Sequence, residues 1–221
     1  MKAVVFDLDG TLLDTIGDIA NSMNYALKCY DIPPCTEDEV KSFVGNGLKM
    51  ALARAIAKKA VKSVDENDQN LMFSLMENYY HKHPIEKTKP YDGIPMLLSL
   101  LDKSGVPYGV LSNKDDDLAK MIIPHFFPSH PFLFIRGKRK GGKLKPDYEL
   151  LSDTLKPFGI KEGEALFVGD SEVDYIAANN YSSKSLIVTY GFRKRMALEK
   201  FGIENLSDSV SELREKIFSL F

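Results

Sequence analysis

The chain has 221 residues, enough for one well-buried domain with a sizeable insertion and short for two full domains. Its composition is 44% hydrophobic and 27% charged, as expected of a water-soluble globular protein, and its formal net charge of -2 argues against a general nucleic-acid binder. No run reaches the roughly 18 apolar residues that mark a membrane span. The first apolar stretch is broken by Asp7 and Asp9, so it does not read as a signal peptide. Cys29 and Cys35 give neither a disulfide framework nor a metal-ligand pattern, which predicts reduced thiols in a cytoplasmic protein.

The chain opens with Ala3-Val4-Val5-Phe6, a nearly continuous apolar run that predicts a parallel strand buried on both faces. It stops at Asp7-Leu8-Asp9-Gly10-Thr11, where a strand end in an open α/β sheet meets ligands. If the extended geometry continues, alternation places Asp7 and Asp9 on one side, both able to reach one ligand. Such a pair is unfavourable unless a cation sits between the carboxylates or one holds a proton. A hard divalent cation, most simply Mg2+, would suit these oxygens together with a substrate phosphate.

From Ile16 to about Tyr30 apolar residues recur at helical spacing, closing before Pro33-Pro34. Thr36-Glu37-Asp38-Glu39 is a capping-box sequence that starts a short helix to Phe43. Gly45-Asn46-Gly47 punctuates it, and helices are predicted from Leu48 to about Val61 and from Asp65 to His81. Residues 16–88 thus read as a helical block inserted after the first strand.

An α/β rhythm follows: a helix over Ile94 to Lys103, then a strand over Val106 to Leu111 that ends in Ser112-Asn113. A helix from Asp115 leads to an expected strand at Phe132 to Ile135. Lys145-Pro146 is expected to open a helix to about Phe158, with proline in its first turn. A strand over Ala165 to Val168 ends in Gly169-Asp170-Ser171, and after another helix Ser185 to Thr189 is the last strand expected. Residues 193–201 and 208–220 look helical. The alternation predicts an α/β fold, a Rossmann-like parallel sheet core (1–15 and 89–221) with an inserted α-helical cap (16–88).

Three strand ends therefore offer polar groups at one sheet edge, with Lys145 between them. They supply carboxylates, hydroxyl and amide donors, and a cation, the parts from which phosphoryl transfer is built by positioning and charge stabilisation. Asp7-x-Asp9-x-Thr11, Ser112-Asn113, Lys145-Pro146 and Gly169-Asp170-Ser171-x-x-Asp174 resemble, in order and context, the four motifs of the haloacid dehalogenase-like phosphohydrolases. The resemblance covers the whole chain. The first motif, extended through Leu12-Leu13-Asp14-Thr15, and the Val44-Gly45-Asn46-Gly47 loop look most like the phosphoglycolate phosphatase branch.

The resemblance implies a role for each residue. Asp7 would be the nucleophile that forms an aspartyl-phosphate, and Asp9 the acid and base that protonates the leaving alkoxide and later deprotonates water. Mg2+ would bind Asp7, the Asp9 backbone carbonyl and Asp170, with Asp174 as a further ligand or a support. Ser112, Lys145 and backbone N–H groups of Leu8, Asp9 and Asn113 would hold the phosphate, and Thr11 would brace the loop. The cap would close over the substrate and choose the leaving group through Gly45, Asn46 and Gly47. The partner implied is a small phosphorylated metabolite, with 2-phosphoglycolate leading, and neither nucleic acid nor membrane.

The sequence departs from this branch at Ala177-Ala178-Asn179-Asn180-Tyr181-Ser182-Ser183, where a Gly-containing turn is usual, and at Tyr190-Gly191-Phe192, in place of a Trp-Gly pair. Arg136, Lys138, Arg139, Lys140 and Lys143 read as a solvated loop that also attracts anions. His81 and His83 read as the end of a cap helix, and His125 and His130 as equally structural. A phosphonate-cleaving mechanism through Lys49 is disfavoured because Asp9 is present, as is a dehalogenase. Pyrophosphate or nucleotide hydrolysis, a sugar-phosphate mutase and a catalytically silent binding domain are the alternatives.

Overall fold

The computed structural model describes residues 1–221. It divides into two compact units, one formed by residues 1–14 and 90–221 and the other by residues 15–89.

The first unit is built on a six-stranded, fully parallel sheet. Its strands are β1 (Ala3–Phe6), β4 (Tyr108–Asp115), β5 (Ile135–Lys138), β6 (Ala165–Gly169), β7 (Lys184–Val188) and β8 (Leu206–Ser207), in the spatial order β5-β4-β1-β6-β7-β8. Two short strands, β2 (Leu13–Asp14) and β3 (Lys89–Pro90), pair where the chain leaves and re-enters this unit. The sheet is flanked by helices α5 (Ile94–Lys103), α6 (Asp116–Phe126), α7 (Tyr148–Leu155), α8 (Glu172–Asn180), α9 (Arg195–Lys200) and α10 (Val210–Phe218).

β1 is central and every one of its residues is buried, which accounts for its unbroken apolar sequence. Ala3 and Val5 pack with Leu111 and Phe167 of the neighbouring strands against Leu150, Leu151 and Leu155 of α7 and Ala177 and Ala178 of α8. Tyr181 closes that core, its hydroxyl donating to the Ile160 carbonyl at 2.9 Å. This arrangement sets the ends of β1, β4 and β6 side by side.

The second unit is helical: α1 (Ile16–Lys28), α2 (Glu37–Phe43), α3 (Leu48–Lys59) and α4 (Glu66–Lys82). The expected capping box at Thr36 is present, with Glu39 N–H donating to the hydroxyl at 3.2 Å and Thr36 N–H to the Glu39 carboxylate at 2.8 Å. Tyr25 of α1 stacks on Tyr79 of α4 with centroids 4.6 Å apart. Asp18 is buried in α1, where its carboxylate accepts from the Thr88 N–H and hydroxyl at 2.8 and 2.7 Å and from the Lys87 N–H. Gly45, Asn46 and Gly47 form the turn between α2 and α3, with both glycines at positive φ. Both cysteines are free thiols.

Three expectations need correction. Pro146 is not in a first helical turn: the Lys145-Pro146 peptide is cis, and α7 begins two residues later at Tyr148. The reason is Asp147, whose carboxylate accepts from the Glu149 and Leu150 N–H groups and takes the capping position. The strand expected at Phe132 to Ile135 lies at Ile135–Lys138 instead. The backbone already approaches β4 before it, with the Leu133 N–H donating to the Tyr108 carbonyl and the Val110 N–H to the Phe134 carbonyl, both at 2.8 Å, while the Phe134 ring fills the space left by Gly109. The strand after Val106 also runs on through Ser112 and Asn113 to Asp115, so these two residues lie within β4 rather than beyond it.

Candidate active site

β1 gives out at Phe6 because the next residues turn back: the Thr11, Leu12 and Leu13 N–H groups all point to the Leu8 carbonyl. Gly10 makes the turn at φ 83, a conformation that favours glycine. The extended geometry that would have aligned Asp7 with Asp9 therefore does not persist, and the two carboxylates take different partners.

Asp7 joins Asp170 and Asp174. Each of the three offers a carboxylate oxygen, and these oxygens lie within 4.8 Å of one another, the one cluster of this kind in the unit. Asp170 follows β6 directly, and Asp174 stands one helical turn on, in α8. Asp174 completes a capping box with Ser171, accepting from its hydroxyl at 2.7 Å and its N–H at 3.2 Å through Oδ2. Its Oδ1 accepts from Lys145 Nζ at 2.6 Å. The same ammonium forms an ion pair with Asp7 Oδ1 at 2.9 Å.

Lys145 reaches this position from a loop pinned at both ends of its peptide units. Asn113 brackets it, accepting from the Lys145 N–H at 2.7 Å and donating to the Lys145 carbonyl at 3.1 Å. Asn180, from the segment where the sequence departs from the familiar pattern, donates to the Pro146 carbonyl at 2.7 Å. Departure in sequence here comes with a local structural role.

Asp170 is held from the far side. The Phe192 N–H donates to its Oδ2 at 2.6 Å. A Cβ on Gly10 would collide with that same carboxylate, and one on Gly191 would collide with the Gly10 carbonyl and with Asp170. Backbone, carboxylate and backbone are stacked with no room for a side chain.

The electrostatics follow from this crowding. Burial, opposed by Lys145 and reinforced by Asp174 and Asp9, pushes the Asp7 carboxyl up to about 6. Burial and the charges of Asp174 and Asp7 raise Asp170 well above the usual carboxylate range. Burial disfavours the Lys145 ammonium, but Asp174 and Asp7 outweigh it, and its pKa is raised.

Asp9 sits apart from the acidic cluster, with Oδ1 accepting from Lys114 Nζ at 2.9 Å. Lys114 is the functional-site residue that motif reading passed over. The signal was available: it lies two residues beyond Ser112 in one strand, and alternation puts the pair on one side. The Phe192 N–H had no such signal, because a backbone donor is silent in sequence. Ser112 is buried beside Lys114, accepting its N–H at 3.3 Å. Leu8 is fully buried within the loop. Thr11 is also buried, but its hydroxyl has no partner; its N–H ties it to the Leu8 carbonyl within the loop, and its carbonyl accepts from the Tyr190 hydroxyl at 3.2 Å. Gly45, Asn46 and Gly47 belong to the helical unit.

Several of the other basic and imidazole groups have local partners. Lys143 pairs with Asp147 and Glu149, and Arg139 lies 3.8 Å from Asp116. His83 pairs with Glu86 at 2.6 Å and His130 with Asp102 at 2.7 Å.

Comparison with known proteins adds a family to this geometry. The profile of the haloacid dehalogenase-like hydrolases matches residues 4–188. A phosphoglycolate phosphatase of Aquifex aeolicus is 31% identical over 95% of this chain and 95% of its own. An N-acetylmuramic acid 6-phosphate phosphatase of Pseudomonas aeruginosa is 30% identical over 87% of this chain and 83% of its own. Among solved structures, a protein from Lactobacillus delbrueckii subsp. bulgaricus superposes with a TM-score of 0.91 at 31% identity, covering 98% of both chains.

Proposed function

The chain belongs to the haloacid dehalogenase-like hydrolase family, and we propose that it is a Mg2+-dependent phosphatase of a small phosphate monoester, with 2-phosphoglycolate as the lead substrate. One observation carries the reading. Asp7, Asp170 and Asp174 bring carboxylate oxygens within 4.8 Å of one another beside the buried Lys145 ammonium, while Asp9 is held separately by Lys114, an oxygen-only cluster of the kind a divalent cation would occupy.

The donor set fits such an ion: hard oxygens only, two of them on carboxylates that burial holds away from their ionised state. Asp7 and Asp170 would hold Mg2+ together with the Asp9 backbone carbonyl. Both oxygens of Asp174 are engaged, by Lys145 and by Ser171, so Asp174 supports the site rather than binding the ion directly. When bound, the cation neutralises charge on the oxygens of the transferring phosphoryl group.

The side chains do the rest. The Asp7 carboxylate attacks phosphorus, the bond to the leaving oxygen breaks, and an aspartyl-phosphate forms. Asp9 gives a proton to the departing alkoxide and then takes one from the water that hydrolyses the intermediate, regenerating Asp7 and releasing phosphate. Ser112, Lys145 and the N–H groups of Leu8, Asp9 and Asn113 hold the phosphate oxygens. Substrate choice is assigned to the turn carrying Gly45, Asn46 and Gly47. Two free thiols suit a reducing compartment such as the cytoplasm.

The test is kcat/KM for Mg2+-dependent phosphate release. The panel comprises 2-phosphoglycolate, N-acetylmuramic acid 6-phosphate, pyrophosphate, β-glucose 1-phosphate, nucleoside monophosphates and p-nitrophenyl phosphate. 2-Phosphoglycolate is expected to lead by about 10-fold or more. A flat profile would retain the phosphatase and discard that ester, and no release from any of them would discard both.

A second expectation concerns metal and pH. Asp7 has an ordinary value of 3.8 and a folded value of about 6. Between these, the folded chain keeps a proton that the unfolded chain has lost, so the metal-free protein loses stability as pH rises through that window. Mg2+ at one fixed concentration, a hundred times its Kd near pH ~7.5, should raise Tm by about 5–10 °C at that pH and by clearly less near pH ~4.5. Asp170→Asn should abolish the shift. Equal shifts at the two pH values would contradict the assignment of the ion to Asp7.

A further inference from the structure

We propose that Lys114 is a positioning residue for the reaction, fixing the carboxyl group of Asp9 at the point of proton delivery; this rests on the phosphatase reading of the same site. Asp9 stands on a turn, after the strand has ended, and nothing in regular secondary structure fixes its side chain. A general acid must nonetheless be held within hydrogen-bond reach of the leaving oxygen, about 2.6–3.2 Å. Lys114 supplies the constraint. Its side chain is 1% exposed, and its Nζ donates to Asp9 Oδ1 at 2.9 Å.

The lysine is itself immobilised. It lies inside β4, its N–H donates to Ser112 Oγ, and its carbonyl packs into the space that Gly137 leaves by lacking a Cβ. An ammonium group this deeply buried must be matched by a carboxylate. The pairing is therefore unlike a surface salt bridge, which is mobile and contributes little.

The geometry also separates two jobs. Lys145 faces Asp7 and Asp174, on the side where the oxygens of the acidic cluster converge. Lys114 draws Asp9 the other way, out of that cluster. Ser112 and Asn113, adjacent in β4, point to opposite sides: Ser112 lies with Lys114, and Asn113 brackets the Lys145 peptide. A single strand thus places both lysines, one directly and one through an amide.

The experiment compares leaving groups. Departure of an alkoxide needs a proton, whereas p-nitrophenolate leaves without one. In Lys114→Met, kcat/KM, which reports the steps up to departure of the leaving group, should fall about 100-fold for 2-phosphoglycolate or another alkyl phosphate and less than about 10-fold for p-nitrophenyl phosphate. Because Lys114 acts through Asp9, adding Lys114→Met to Asp9→Asn should cost nothing further. Lys114→Gln, which keeps a donor, should retain more activity on the alkyl ester than Lys114→Met, and it carries the same comparison if the methionine variant does not fold. Equal losses on both esters, or losses that add to those of Asp9→Asn, would overturn the inference while leaving the phosphatase intact. A wild-type protein that releases phosphate from neither ester would overturn the phosphatase reading and this inference with it.

Discussion

Asp7→Asn is expected to lower phosphate release by about 10,000-fold or more, to the level set by the remaining site groups. The amide keeps the shape of the carboxyl group but cannot attack phosphorus, so no aspartyl-phosphate should be recovered from acid-quenched enzyme by mass spectrometry. The substitution also has a consequence of opposite sign. Asp7 is held in a buried setting with Asp174 and Asp9 as like charges, which raises it to about 6. Removing its charge relieves that repulsion, so the metal-free variant should be at least as stable as the wild type above that pH, as judged by urea unfolding. A dead and more stable enzyme is the expected trade between activity and stability at a reactive carboxylate. Near-wild-type turnover would remove Asp7 from the role of nucleophile.

Lys145→Met should damage both activity and stability. The ammonium is 2% exposed and bridges Asp7 at 2.9 Å and Asp174 at 2.6 Å. Its loss takes a cation from the phosphoryl group and leaves two carboxylates facing each other. We expect kcat/KM to drop by about 1,000-fold, as for loss of a strong electrostatic contact in a preorganised site. Breaking a buried ion pair on one side costs about 3–5 kcal/mol while the remaining charges persist. That cost has a pH signature. It should be full in metal-free buffer near pH ~8 and shrink near pH ~5, below the value of about 6 to which Asp7 is raised, where that carboxyl takes up a proton. Urea denaturation at the two pH values measures it, and a cost independent of pH would show that Lys145 acts through packing rather than charge.

Much of this arrangement was legible in the sequence because strand ends advertise themselves. An apolar run that stops at a carboxylate, as at Phe6-Asp7 and Gly169-Asp170, signals both a buried strand and its functional edge. The convergence of Asp7, Lys145, Asp170 and Asp174 follows from the parallel order of β4, β1 and β6. What escaped was decided by competition between local signals. Pro146 suggested a helix start, but Asp147 caps better. Alternation from Asp7 to Asp9 assumed an extended chain, but the Leu8 carbonyl gathers the following N–H groups into a turn. Lys114 hid in a strand beside a better-known serine. The Asn180 contact to Pro146 joins residues 34 apart in sequence, a distance that no periodicity reports.

The stacked backbones of Gly10 and Gly191 around Asp170 bear on how such a protein can change over generations. Any side chain at either glycine strikes the Asp170 carboxylate or the opposite backbone, so every missense change in those codons disturbs the acidic site before it can be combined with a second. Neutral drift is closed off there. The Gly45-Asn46-Gly47 turn belongs to a separate unit with its own helices. A lineage built on this plan thus keeps its acidic site fixed while change accumulates elsewhere.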